Sequence, residues 1–238
     1  MEQYLLSATV FLPLAGALVI ALLVRNPRAI RSFAIAVTVA DLALAAAVFL
    51  RYDPAQGGLQ LVERHEWIAS LNVQYLLGVD GLSAPLVLLT GLLGMCAVLV
   101  SWSIQQRVRE FFVWLLVLQT AVMGVFTALD FVLFFVFWEL ELVPMYFLIS
   151  VWGSGRKEYS AMKFLVFTLL GSAFMLVGLL VVYFSVGTFD MTRLATADLT
   201  QLLIPAQLVF FSFFIAFAIK LPLWPLHSWL PDAHTDAP

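Results

Sequence analysis

Six stretches of the chain are apolar almost without interruption: Tyr4–Val24, Ser32–Leu50, Leu82–Trp102, Phe111–Leu129, Phe131–Val151 and Met162–Phe184. Polar residues collect in the turns between them. About 20 predominantly apolar residues of helix cross the hydrocarbon core of a bilayer, so each stretch predicts a transmembrane span. A seventh apolar segment, from Pro205 to Leu230, is too long for one straight span, and Pro222 and Pro225 interrupt it just after Lys220. Two half-helices meeting near the middle of the membrane are predicted there, with His227 on the second. Met1-Glu2-Gln3 carries no positive n-region, and the apolar stretch after it exceeds a usual signal-peptide core, so the first window reads as a permanent span. The fold class that follows is all-α, a polytopic transmembrane helix bundle of about seven spans with span 7 discontinuous. Residues 1–110 read as a membrane scaffold of spans 1 to 3 with an external loop at 51–81, and residues 111–238 as a second unit of spans 4 to 7.

Composition agrees: 63% of residues are hydrophobic, 11% are charged, and the mean hydropathy is +1.02. These values exclude an ordinary soluble domain. Lys and Arg cluster after spans 1, 3 and 5, at Arg25, Arg28 and Arg31, at Arg107 and Arg109, and at Arg156, Lys157 and Lys163. The other turns hold fewer, with Arg51 and Arg64 in 51–81, none at the tight turn of Asp130, and Arg193 in 185–204. Positive charge stays on the cytoplasmic side of short loops, so the N terminus is expected outside and residue 238 inside. A net charge of −3 without a basic run gives no nucleic-acid partner.

Redox and nucleotide chemistry find no motif. Cys96, the single cysteine, lies in span 3 and reads as a buried, inert thiol, which leaves no disulfide and no iron–sulfur ligand set. Gly153 and Gly155 lack a third glycine and follow a membrane span rather than a strand. His65, His227 and His234 are scattered, without the carboxylate or thiolate company of a metal site. Loop 51–81 reads as a turn plus a short hairpin on the outer face, where Trp67 and Tyr75 suit the interface.

The candidate chemistry lies in spans 5 and 7. A charge at bilayer depth costs about 2.5–3.5 kcal/mol on the mildest insertion scale, and Glu139 and Lys220 both sit in apolar runs. With spans 4 and 5 separated only by Asp130, Glu139 falls about 12 Å into a core of about 30 Å. Tyr146 shares its helical face, whereas Glu141 points elsewhere. Pro144 removes a backbone donor and leaves the Leu140 carbonyl free. Desolvation favours the neutral carboxyl and a nearby cation favours the carboxylate, so Glu139 can occupy either state as its partner moves. Lys220 is the natural cation, and a desolvated lysine can exchange its proton. Lys163 and His227 are second-tier candidates, the first equally readable as a topogenic lysine and the second as an interfacial histidine. Spacing names no partner for Asp41 or Glu141.

The strings LGVDGLSAPLVLLTG (77–91), FFVFWELELVPMYFLISVWG (134–153), YSAMKFLVFTLLGS (159–172) and AIKLPLWPLHSWLPDAHTDAP (218–238) resemble the antiporter-like subunit M, the chain-4 type, of proton-pumping NADH:quinone oxidoreductase, from about residue 70 onward. The resemblance implies that Glu139 and Lys220 form the first proton-carrying pair, with Lys163 and His227 at matching positions and the helix break at Pro222 and Pro225. It implies a non-redox subunit of the translocase, in which NADH, FMN, iron–sulfur clusters and quinone are bound by other subunits and none by this chain. Adjacent antiporter-like membrane subunits and the lipid bilayer are the implied partners. The ELEL form at 139–142 resembles photosynthetic relatives that use ferredoxin. Family members hold about twice as many spans, in two inverted repeats each with a half-channel, so 111–238 is expected to be an incomplete first repeat and the chain a fragment or one piece of a split subunit. An Mrp-type cation/proton antiporter subunit and a membrane anchor of a hydrogenase-type complex are the alternatives.

Overall fold

A computed structural model describes residues 4–197 and 202–238. The Met1–Gln3 signature and residues 198–201 of the 185–204 loop lie outside the described residues. The first helices are α1 (Leu5–Leu22), α2 (Pro27–Arg51), α3 (Ser83–Val100) and α4 (Val108–Thr127). They are followed by α5 (Phe131–Leu140), α6 (Leu142–Trp152), α7 (Lys157–Val186), the short α8 (Met191–Leu194), α9 (Ala206–Lys220) and α10 (Trp229–Asp236). Among the described residues, six spans are long and apolar enough to cross a membrane, with α5 and α6 together forming the fifth, and α9 is a shorter apolar helix.

Local chemistry sets the helix starts. Asn26 accepts from the Arg28 N–H at 2.9 Å with Pro27 in the first turn, which opens α2. Asp80 Oδ1 accepts from Ser83 N at 2.7 Å at the head of α3, and Asp130 Oδ1 accepts from Val132 N at 2.9 Å at the head of α5. α7 ends at Gly187, whose φ of +79° is the left-handed conformation that closes a helix without a Cβ clash.

α1 packs on α4 and α2 on α3, while α7 carries α6, α9 and α10 on its flanks. Small residues let these helices approach: a Cβ at Gly124 would collide with the Phe137 ring of the next span. Large apolar side chains such as Leu22, Leu50, Val100 and Phe184 point outward, the expected surface of a bundle solvated by lipid. Cys96 lies on this outward surface of α3, which corrects the expectation of a buried thiol. Few side chains of this span face the core, so a cysteine there meets the outside by default.

The basic turns gather at one end of the bundle, where Arg31 donates to the Ile104 carbonyl at 2.6 Å and the Trp152 indole to the Gln106 carbonyl at 2.7 Å. The other end carries the 51–81 segment, which forms the expected hairpin. Strand β1 (Gln60–Ile68) pairs antiparallel with β2 (Val73–Val79). The tight turn is longer than Asp130 alone, because residues 128–130 run extended: Leu129 N bonds Leu76 O and Met191 N bonds Leu129 O, each at 2.9 Å. Glu63 on β1 is buried and accepts from Leu6 N at 2.7 Å and from the Ser7 hydroxyl, so the hairpin caps the N-terminus of α1.

Candidate functional site: a lysine at a helix break

Pro222 has no N–H to give the Ala218 carbonyl four residues back, and α9 ends at Lys220 for that reason. The backbone then re-satisfies itself: Leu223 N donates to Ala218 O at 2.8 Å, and the Ile219 carbonyl, deprived of Leu223, accepts the Trp229 indole N–H at 2.9 Å. Residues 221–228 are non-helical, the Trp224–Pro225 peptide bond is cis, and the helix resumes at Trp229. The span 5 helix also divides. Pro144 has no N–H for the Leu140 carbonyl, and α5 and α6 separate at Glu141.

These two interruptions meet. Lys220 Nζ lies 2.6 Å from Glu141 Oε1 and 4.7 Å from the centre of the Trp138 ring. The ammonium is seated between a carboxylate and an aromatic face. At 2.6 Å the contact is a close charge-assisted one between ammonium and carboxylate. The expected Glu139–Lys220 ion pair is therefore replaced by a Glu141–Lys220 pair. The reason is helical geometry: Trp138 and Glu141 are three residues apart and share a face, and Lys220 approaches that face. Glu139 projects differently, and its Oε1 is buried without a partner among the described residues.

The second-tier residues divide. Lys163 Nζ bonds Asp232 Oδ2 at 2.7 Å, tying α7 to α10. His227 lies in the break rather than on the second half-helix, because the helix restarts two residues later, and its Nδ1 is buried without a partner among the described residues. Asp236 accepts from the Ser160 hydroxyl at 2.6 Å, and its carbonyl accepts from Ser154 N at 2.8 Å, so α10 is anchored at the basic end. Between α6, α7, α9 and α10 lies a cavity of about 450 Å³, lined by Glu141, Lys220, His234 and Ala237 among others. Outside this site, Asp41 finds the partner that spacing could not name: Gln119 Nε2 donates to its Oδ2 at 2.6 Å.

A multi-pass bundle whose discontinuous helices hold opposed charges is built as antiporter-like membrane subunits are. The family profile described as "NADH:quinone oxidoreductase/Mrp antiporter, TM" matches residues 128–238. The chain is 40% identical to NADH-quinone oxidoreductase subunit M of Rhodobacter capsulatus, over 99% of this chain and 49% of the relative. It is 44% identical to an NAD(P)H-quinone oxidoreductase chain 4 of Synechococcus elongatus, over 98% of this chain and 44% of the relative. A chain of respiratory complex I from Thermus thermophilus with bound NADH superposes with a TM-score of 0.85 at 28% identity, over 98% of this chain and 47% of that one. An archaeal membrane-bound sulfane sulfur reductase shares the fold at a TM-score of 0.85 and 22% identity. The chain belongs to the antiporter-like subunit M, or chain 4, family of these oxidoreductases. It spans about half the length of the curated relatives it matches.

Proposed function

We propose that the chain works in a proton-translocating membrane subunit of an NADH- or ferredoxin:quinone oxidoreductase, coupling quinone reduction elsewhere in the complex to proton movement through buried Glu and Lys side chains. The observation that carries this reading is Lys220, held at the end of a broken helix against a carboxylate and beside a cavity. In low dielectric a unit charge interacts strongly over several ångströms, so a charge arriving at or leaving this pair changes the proton affinity of its members together. Glu139 and Lys220 are assigned to the proton path, and Lys163 and His227 to its continuation. Pro222 and Pro225 supply the break at whose edge Lys220 sits. The basic end is assigned to the cytoplasm by the excess of Lys and Arg in its turns. Neighbouring antiporter-like subunits and lipid are the partners, and NADH or ferredoxin, FMN, iron–sulfur clusters and quinone belong to other subunits.

Glu139→Gln and Lys220→Ala in the full-length subunit test the reading. Each is expected to abolish or sharply reduce protons pumped per electron while the complex still assembles and reduces quinone. Normal pumping by either assembled variant overturns the role given to that residue. The profile description joins this family to the Mrp antiporters, and sodium-dependent transport without a dehydrogenase partner would favour that second reading.

A further inference from the structure

The guanidinium of Arg31 is buried without a counter-ion. The residue is only 8% exposed, it belongs to none of the ion pairs among the described residues, and its Nε has no acceptor there. Its neighbours are neutral. Nη2 donates to the Ile104 carbonyl at 2.6 Å and reaches the Gln105 side-chain oxygen at 3.4 Å, and the guanidinium carbon lies 5.9 Å from the centre of the Trp102 ring. The two turns that meet here add charge of the same sign. Residues 23–32 and 101–110 hold Arg25, Arg28, Arg31, Arg107 and Arg109 against one carboxylate, Glu110, which Arg107 already engages. Carbonyl oxygens and an aromatic face offset part of the cost of burying a cation but cancel none of its charge. An anion from outside these two turns completes the site.

Position selects the anion. α2 is 25 residues long, about 37 Å against a hydrocarbon core of about 30 Å, so Arg31, four residues from its start, falls where headgroups begin. Trp102 beside it is 46% exposed, as suits an interfacial aromatic, and Leu22, Leu23 and Val100, which lead into the two turns, point outward. A ligand here meets cations at one end and apolar surface at the other. We propose that Arg31, with Trp102 and the exposed Arg28 one helical turn before it, binds the phosphate of an anionic phospholipid whose chains run along this surface. The guanidinium fork matches phosphate geometry, and the Ile104 carbonyl and the Trp102 ring hold it in one orientation. The surplus of arginines favours a lipid of net negative charge over a zwitterionic one. The site shares no residue with the one around Lys220 and does not depend on the proton-path reading.

The test places the full-length subunit, in its assembled complex, in nanodiscs of phosphatidylcholine alone or mixed with phosphatidylglycerol of matched chains. The readout is the temperature at which the 101–107 turn opens to protease. Phosphatidylglycerol is expected to raise that temperature by several degrees. Arg31→Gln keeps a donor for the Ile104 carbonyl but removes the charge, and it is expected to lose most of the rise, whereas Arg51→Gln, at the far end of α2, keeps it. Equal rises in wild type and Arg31→Gln overturn the proposal. So does the absence of a rise in wild type, which would assign the counter-charge to a carboxylate of a neighbouring subunit. An equal rise from inorganic phosphate added to phosphatidylcholine discs overturns the lipid assignment. If Arg31→Gln does not assemble, wild type decides with a phosphatidylglycerol carrying a photoactivatable headgroup. Cross-links to 23–32 and 101–107 are expected, and cross-links only elsewhere overturn the site.

Discussion

Trp229 donates its indole N–H to the carbonyl of Ile219 at 2.9 Å, across the break that ends α9. The bond replaces a helical donor that Pro222 displaced, and both partners are buried. Trp229→Phe keeps a ring against Phe164, its present neighbour at 5.3 Å between centroids, but leaves the carbonyl unpaired. A buried acceptor without a donor costs about 1–3 kcal/mol. The variant is expected to lower the unfolding temperature of the assembled subunit, and Trp229→Leu, which also loses ring volume, to lower it further. Equal melting temperatures for wild type and Trp229→Phe would show that this bond does not hold the break.

Glu63 joins the hairpin to the bundle by accepting from two backbone N–H groups of α1 and from the Ser7 hydroxyl. Hydrogen bonds to a charged acceptor contribute about 1.5–3 kcal/mol each when lost from a buried site. Glu63→Ala is expected to loosen the hairpin, seen as faster amide exchange over residues 60–79 and easier proteolysis there. Glu63→Gln retains an acceptor without the charge and should fall between the two. Unchanged exchange in Glu63→Ala would mean that the strand pairing alone seats the hairpin.

The spans, the hairpin and the break after Lys220 were legible in the sequence because each rests on a local signal: apolar length, a polar segment with Gly57-Gly58, and proline at 222. Side-chain partners were not. Lys163 and Asp232, Asp41 and Gln119, and Arg64 and Asp190 are each far apart in the chain, and spacing carries no information about which faces meet. Glu141 was within reach, since Pro144 marks where the helix divides and Trp138 lies three residues before it. A regular helix sets Glu139 on a different face from Trp138 and Glu141, and the lysine approaches the latter.

Two aspartates at the hairpin end are expected to respond to acid in opposite senses. Burial pushes Asp130 above the usual carboxylate range, against the backbone N–H groups of Gln74, Leu133 and Val132. Burial works the same way on Asp190, but the Thr192 hydroxyl and the Arg64 guanidinium at 2.9 Å outweigh it and hold that carboxyl below the range. A lowered group stabilises the fold above the ordinary value, about 3.9, and loses that contribution as pH falls through its own lower value. A raised group does the reverse, relieving a cost as pH falls below its raised value. Mild acid should therefore tighten this end before stronger acid loosens it. Protease resistance of the hairpin against pH checks this: Asp130→Asn should remove the rise and Asp190→Asn the later fall. A wild-type profile in both variants would assign the response to other groups.

Asp41 and Gln119 form a buried polar contact between α2 and α4. Asp41 Oδ1 and Gln119 Oε1 have no partner among the described residues, so the single bond at 2.6 Å satisfies this site only in part. Gly94 on α3 completes the enclosure, because a Cβ there would run into the Gln119 amide. Gln119→Leu removes the donor and leaves the acid alone in the interior, an expected loss of about 1–3 kcal/mol read as a lower melting temperature of the assembled subunit. Asp41→Asn keeps an acceptor for the same amide and should cost less. Gly94→Ala displaces the amide, so combined with Gln119→Leu it should cost less than the two changes summed, since both act on one contact. Strict additivity would show that the helices meet here by packing alone and that the Asp41–Gln119 bond contributes nothing to holding α2 against α4.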